Sequence, residues 1–475
     1  MTLLERIFRF IRIDPWLFLV MISGTVLCTL TGRLVFLLAA PVFLVCRAGF
    51  RNITLIYYLL LVTIPFSAEV EVSTYLGTDF PDEPLMWLLT ILLLFDFFMY
   101  PDKWKSMRID ARVASMLLLH LGWIIVSTIL SAYPVLSLKF LAAKIWYIGA
   151  FAIGTWYCIR SKRDIYLAAS LLMASMFIST CYVMFQHYRH GFSFETVNVS
   201  VEPLFRNHVN YGALLVCLLP LPIAGSILFP KYRYLLISLL VFWLTALFLT
   251  YSRGAWIAAF IGLASVLAMR VRMLNLLAII FAAVLITGFS YLAKDNRYLD
   301  YRPNYEQTIF HQDFGEHMQA TYRGTDLSTV ERFHRWIAAF RMARGHLLHG
   351  YGPNSFYHEY RPYTVTAYRT YVSDNPEKST VHNYFLLLLV EQGIPGLIIF
   401  CLFLLAILRV SDEWYSHTRQ KAEKVLASAI IAIIAMIFSL NMLSDLIETD
   451  KIGSLFFICV GLLLKYSAGH DVSEA

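Results

Sequence analysis

The sequence is poor in charge: Asp, Glu, Lys and Arg make up 15% of its 475 residues, against 59% hydrophobic residues. With a mean hydropathy of +0.62, that balance excludes a soluble globular domain. The seven cysteines, Cys28, Cys46, Cys158, Cys181, Cys217, Cys401 and Cys459, fall in or beside apolar runs without metal-type spacing. Neither a disulfide framework nor a thiolate metal site is indicated. There is no Walker A loop, Gly-rich dinucleotide fingerprint, His-Glu-x-x-His or Gly-x-Ser-x-Gly elbow, which disfavours nucleotide hydrolysis, redox chemistry and zinc proteolysis. Glu69, Glu71, Asp445 and Glu448 have unspecific spacing, and no metal or other cofactor is expected. The net charge of +7 reports on topology before partners, and no nucleic-acid partner follows from it.

What the chain has instead is a succession of apolar runs. They lie near residues 15–30, 34–46, 53–66, 84–100, 112–130, 140–159, 165–186, 208–229, 234–250, 254–270, 273–293, 382–408, 425–444 and 452–466. Their length predicts membrane-spanning helices, since barrel strands would be shorter and half polar. Only Thr31, Gly32 and Arg33 separate the first two, so the expected architecture is an all-α polytopic membrane protein, a bundle of 12–14 transmembrane helices. The basic start with Arg6, Arg9 and Arg12 leads into a retained first anchor.

Basic residues fall on alternate turns: Arg6 to Arg12, Arg47 and Arg51, Lys103 to Arg112, Arg160 to Arg163, Lys231 and Arg233, Arg270 and Arg272, and Arg409 to Lys424. These turns are expected in the cytoplasm, with both termini. The acidic loop Ser67 to Glu83, which has no Lys or Arg, and the long segment Lys294 to Thr380 face outward. The expected organisation is a transmembrane bundle over 1–293, a large periplasmic loop with an amphipathic helix over 294–380, C-terminal transmembrane helices over 381–467, and a cytoplasmic tail over 468–475.

Ten of the 28 tyrosines lie between Tyr298 and Tyr371. Such a surface suits stacking and hydrogen bonding to sugars; an interfacial aromatic belt accounts for the same residues. Ser328 to Glu331 fits a capping box opening an amphipathic helix to about His349, with an apolar stripe of Val330, Phe333, Ile337 and Phe340. Arg332, Arg335 and Arg341 lie off that stripe. A basic helix at the outer leaflet holds anionic headgroups or diphosphates, or is a solvated face.

Three polar clusters stand where spans meet the outer surface: Phe205-Arg206-Asn207-His208, Tyr251-Ser252-Arg253-Gly254-Ala255-Trp256, and His382-Asn383. Ionisable groups at membrane depth are costly to desolvate and are functional candidates by default. Snorkelling explains Arg206 equally well, whereas Arg253 has no other charge near it in sequence. His382 has the titration range of a general base, and the Asn383 amide can orient it or a substrate. About 16 Å further along an ideal helix, Gly393 and Gly396 bracket Pro395, with Glu391 and Gln392 expected to brace the bundle just before. Two arginines and a histidine facing outward suit glycosyl transfer from a lipid diphosphate. The guanidinium groups would neutralise the departing diphosphate while the imidazole takes a proton from the attacking hydroxyl.

His382-Asn383, nine residues, Gly393, two residues and Gly396 resemble the His-(Asn/Ser/Gln)-x9-Gly-x-x-Gly signature of the O-antigen ligase and polymerase superfamily. Ser-Arg-Gly-Ala-Trp, Phe-Arg-Asn-His-x-Asn, and Arg332-x-x-x-Trp336 followed by Gly350-Tyr-Gly352 and Phe356 are similar to its pattern, over about residues 205–410. The resemblance implies a bacterial inner-membrane enzyme of membrane glycosyltransferase (GT-C-like) architecture. Its donor would be an undecaprenyl-diphosphate-linked glycan at the periplasmic face, transferred by a metal-independent, inverting reaction. By motif position, Arg206 and Arg253 would hold the diphosphate, Arg332 would be a further anion contact, and His382 would activate the acceptor hydroxyl. Asn383, Asn207, His208 and Arg335 would support them. A ligase with lipid A-core as acceptor is favoured; a polymerase adding to another lipid-linked repeat and a protein glycosyltransferase are the alternatives within the superfamily. A solute transporter is the rival from another class, but the Gly-Pro-Gly break has no matching partner in the other half of the chain.

Overall fold

In hydrocarbon a spanning segment must satisfy its own backbone N–H and C=O groups, and the long apolar runs accordingly fold as helices. The computed structural model describes residues 20–23, 25–27, 29, 39–73, 76–300, 327–365 and 380–466. Parts of the expected first and second spans, the tail 468–475 and parts of the long loop lie outside the described residues. The helices are α1 (Ala39–Arg51), α2 (Ile53–Thr63), α3 (Asp82–Met99), α4 (Ala111–Ile129), α5 (Pro134–Cys158), α6 (Lys162–Arg189), α7 (His208–Leu218), α8 (Pro220–Leu228), α9 (Arg233–Leu249), α10 (Arg253–Arg270), α11 (Leu274–Ala293), α12 (Leu327–Ala343), α13 (Tyr384–His417), α14 (Lys421–Leu440) and α15 (Asp450–Tyr466). Among the described residues, eight helical segments are long and apolar enough to cross a membrane.

Packing in lipid depends on close approach, because hydrocarbon is as apolar as the side chains. The buried positions of α10, Ala255, Ala258, Gly262, Ser265 and Met269, form a mostly small stripe at helical spacing. They let α10 lie along α14, where a Cβ on Gly262 would fall 2.3 Å from Met436 Cε.

The bundle has two chemically distinct ends. At one, Arg112 pairs with Asp110 (3.0 Å) and with Glu413, Lys162 pairs with Glu423 (2.8 Å), and the Asp110 N–H donates to Leu464 (2.8 Å). The basic turns around residues 103–112, 160–163 and 409–424 therefore share this end. At the other, Lys451 at the start of α15 donates to the carbonyls of Ser67 (2.7 Å) and Ile64 (3.1 Å).

The acidic loop at that second end is a hairpin of β1 (Ala68–Ser73) and β2 (Leu76–Phe80), with Ala68 opposite Phe80 and Glu69 opposite Asp79. The run expected at 208–229 is two helices, because Pro220 and Pro222 open α8 directly after Leu219. Helix α13 continues past the apolar run to His417, its charged end held by the Arg112 to Glu413 pair.

The amphipathic helix forms but ends at Ala343, six residues before the expected His349, and Arg344 and Gly345 are in a turn. Its packed face is also rotated from the expected stripe. Val330, His334, Arg335, Ile337, Ala338, Ala339 and Met342 are buried, whereas Phe333 and Phe340 are half-buried. The paired alanines let α12 pack on α13, so of the three arginines Arg335 is buried, Arg332 half-buried and only Arg341 exposed.

Candidate active site

Helix α13 begins with Asn383 as its cap, the side-chain oxygen accepting from the Leu386 N–H (3.0 Å). The Asn383 amide donates to the carbonyl of Met442 (3.1 Å), and the Tyr384 N–H donates to that of Asn441 (2.9 Å). These bonds fasten the start of α13 to the turn between α14 and α15. His382, immediately before the cap, adopts φ +55, in the left-handed region that non-glycine residues seldom occupy. Such strain persists only where the surroundings over-determine it, and it clusters at functional sites.

Those surroundings are cationic. Arg335 donates from Nη1 to the Thr380 carbonyl (2.7 Å), and the His382 N–H meets the Thr380 hydroxyl at 3.4 Å. Burial pushes the His382 imidazole down to about 3, with the charges of Arg335 and then Arg332 adding to the effect. The ring is therefore neutral across the working pH range, and as long as nothing offsets the arginine charges it is a weak base.

The Thr380 side chain lies close enough to the Asp445 carboxylate to favour its charged form. Burial raises Asp445 above the usual carboxylate range, Glu448 adds to this, and the Arg206 charge opposes it. Arg206, exposed before α7, is thereby placed beside the same turn. Glu448 pairs with buried Lys144 (2.7 Å). Arg253 opens α10, half-buried, after Tyr251 at φ +56. Next to it Gly254 faces Leu443 of the turn, where a Cβ would sit at an ordinary 3.5 Å, so the protein itself does not require glycine there. Gly212 of α7 lies against Ser252 and Ala255.

The three polar clusters thus meet the turn over residues 441–449 from α7, α10 and α13. Arg332 and Arg335 reach His382 from α12. Asn207 and His208 instead do structural work. Asn207 caps α7 through the Asn210 N–H (2.9 Å), and both the backbone N–H and Nδ1 of His208 hydrogen-bond the Asn198 side-chain oxygen (3.0 and 2.7 Å). The sequence carries no signal for Thr380, and Asp445 and Glu448 stand in it only as outer acids of unspecific spacing; Lys144, a lone charge inside an apolar run, is the readable signal.

Below His382 the signature glycines break α13. Gly393 sits at φ +71, ψ −173, and Pro395 has no N–H to give to Glu391. The freed carbonyls are taken up from outside the helix: Tyr351 N–H to Val390 (3.0 Å), Gly352 N–H to Glu391 (2.9 Å) and the Trp123 indole to Gln392 (2.9 Å). The Ile394 N–H turns to Leu347 (2.8 Å). The Glu391 carboxylate accepts from the Asn354 N–H (2.9 Å) and the Phe356 N–H (3.1 Å), the bracing expected of it. A broken helix at membrane depth is tolerated when protein satisfies its backbone, and the 347–356 segment does so. Gly350 is needed for that approach, since a Cβ would lie 2.3 Å from the Glu391 backbone.

Among the described residues no group of three His, Cys, Asp or Glu side chains is placed to hold a metal ion. A search of curated proteins finds no match. Residues 237–401, which include Arg253, Arg332, Arg335, His382, Asn383 and the glycine break, match the O-Antigen ligase family. The chain is a polytopic, all-α membrane protein, and the match over these residues supports the O-antigen ligase and polymerase superfamily.

Proposed function

We propose that the protein transfers a glycan from undecaprenyl diphosphate to an acceptor hydroxyl at the periplasmic face of the bacterial inner membrane, as an O-antigen ligase acting on lipid A-core. The observation that carries this reading is a neutral, strained His382 flanked by Arg332 and Arg335 at the mouth of the bundle. The acceptor oxygen attacks the anomeric carbon as the bond from that carbon to the diphosphate oxygen breaks, inverting the centre without a resident metal. His382 takes the hydroxyl proton, and Arg206, Arg253 and Arg332 receive the departing diphosphate. The test is transfer by purified protein reconstituted with undecaprenyl-diphosphate glycan and lipid A-core. A product in which the glycan grows on a second lipid-linked repeat instead would make the protein a polymerase.

This assignment gives His382 a substrate-dependent basicity. In the free protein its imidazole lies down at about 3, partly through Arg335 and Arg332. A bound diphosphate offsets those positive charges and raises it towards the ordinary histidine range. The acid limb of kcat/KM, which reports the free enzyme, is expected at lower pH than that of kcat, which reports the complex. A kcat/KM limb at the ordinary histidine position, about 6.5, would mean that neither burial nor the arginines hold the imidazole down.

Arg253 is assigned a bidentate contact. Arg253→Lys keeps the charge but loses the planar fork, and donor affinity should fall about tenfold, with Arg253→Ala lower still. Donor binding that survives Arg253→Ala places the diphosphate elsewhere.

A further inference from the structure

A cavity of about 410 Å³ lies between the α4 to α5 turn and the segment following α12. Ser131, His346, His349, Tyr351, Glu359 and Tyr363 line it. Its polar groups are prearranged: the Tyr351 and Tyr363 hydroxyls are 2.9 Å apart, the Tyr133 hydroxyl donates to Glu359 (2.8 Å), and the His346 ring packs tilted against Tyr351 with centroids 4.2 Å apart. One ring nitrogen, His349 Nδ1, is buried with no hydrogen-bond partner in the structure. A buried polar atom left this way costs free energy unless something fills the place.

The lining selects the ligand. It contains no Lys or Arg, and its only formal charge is the Glu359 carboxylate, which disfavours phosphates and other anions. Aromatic faces beside mixed donors and acceptors match a sugar ring, which is apolar on its faces and hydroxylated at its edge. Beside the cup the surface is apolar: Ile129 and Leu348 are each 74% exposed, with Leu130 and Leu347 also exposed. In a chain that crosses the membrane, such an outward lip is placed among acyl chains. The occupant that satisfies both parts is a saccharide carried on a lipid.

We infer that this cup is the docking site for the glycan of a membrane-anchored acceptor glycolipid, on the α4 side of α13. The inference rests on the glycan-transfer reading above. The arginines proposed for the donor stand on other elements: Arg206 and Arg253 at the starts of α7 and α10, and Arg332 on α12. The floor of the cup is hydrogen-bonded to α13 at Val390 and Glu391, eight and nine residues from His382, or about 12 Å along a helix. A sugar seated there leaves the following residues of the same glycan to reach the histidine.

The experiment titrates the full-length protein in phosphatidylethanolamine nanodiscs with rough-type lipid A-core and, separately, with sugar-free undecaprenyl diphosphate. His349→Ala and Glu359→Gln, both of which should remain folded, are each expected to weaken lipid A-core binding about tenfold, the scale of one lost hydrogen bond to a charged or buried group. Undecaprenyl diphosphate binding should be unchanged, and acceptor KM should rise while kcat is retained. Unchanged lipid A-core affinity in both variants overturns the inference, as does a parallel loss of undecaprenyl diphosphate binding. Equal competition by phosphatidylglycerol, which has no sugar ring, also overturns it. If lipid A-core binding follows the cup variants but the wild-type protein transfers nothing, the glycosyltransferase reading fails and the cup stands as a glycolipid site.

Discussion

His382→Ala is expected to reduce transfer by about 10²- to 10⁴-fold, the contribution of a positioned general base, while leaving donor and acceptor binding and the melting temperature close to wild type. The separation of chemistry from folding is built into the start of α13. Asn383, not His382, caps the helix and bonds to Met442, so the cap survives the substitution. The backbone at φ +55 is already held against its preference, and one non-glycine residue replaces another there. His382→Asn is a useful companion, because asparagine tolerates the left-handed region better than alanine and cannot act as a base. Both variants should be equally inactive. Turnover that persists in either, measured with saturating donor and acceptor, would remove His382 from the chemistry. It would leave Asp445, which lies beside the same Thr380 side chain as His382, as the candidate base.

Much of this molecule was legible because membrane helices announce themselves by length and hydropathy, and because caps are local. The starts of α7 and α13 follow directly from Asn207 and Asn383, whose side chains satisfy N–H groups three residues away. What was not legible depends on partners distant in sequence. Arg335 looks like a solvated charge on an amphipathic helix, yet it is 3% exposed because Ala338 and Ala339 draw α12 onto α13 and its guanidinium finds the Thr380 carbonyl. The hairpin had a readable signal, the alternation Glu69-Val70-Glu71-Val72, which its acidic composition concealed. The cup is built from residues more than 200 positions apart, so no local pattern reports it. The glycine break could be seen, but its cause could not. Only the structure shows a second chain segment, residues 347–352, packing against the break to satisfy it.

That arrangement makes Gly393→Ala the substitution with the largest expected cost in stability. At φ +71, ψ −173 the backbone is in a region open essentially to glycine alone, and forcing another residue into it costs roughly 1–3 kcal/mol. The added Cβ would also lie 2.5 Å from the Leu348 carbonyl oxygen and 2.7 Å from that of Leu347. Backbone must move to relieve this, and the backbone in question accepts from the Ile394 N–H and leads into the Tyr351 and Gly352 bonds. Loss of that pairing leaves polar groups unsatisfied at membrane depth, where water cannot replace the partner. The expected result is a markedly lower melting temperature in detergent, with transfer lost in parallel because the 347–356 segment follows α12 and so links the break to Arg332 and Arg335. Gly122→Ala, on α4 beside Trp123, is the matched control. Nothing lies within 4 Å of a Cβ at that position, and in a helix interior alanine should be neutral or stabilising by up to about 1 kcal/mol. If Gly393→Ala melts with Gly122→Ala and wild type, the break in α13 is not fixed by the glycine, and its pairing with the 347–352 segment is not what holds this end of the bundle together.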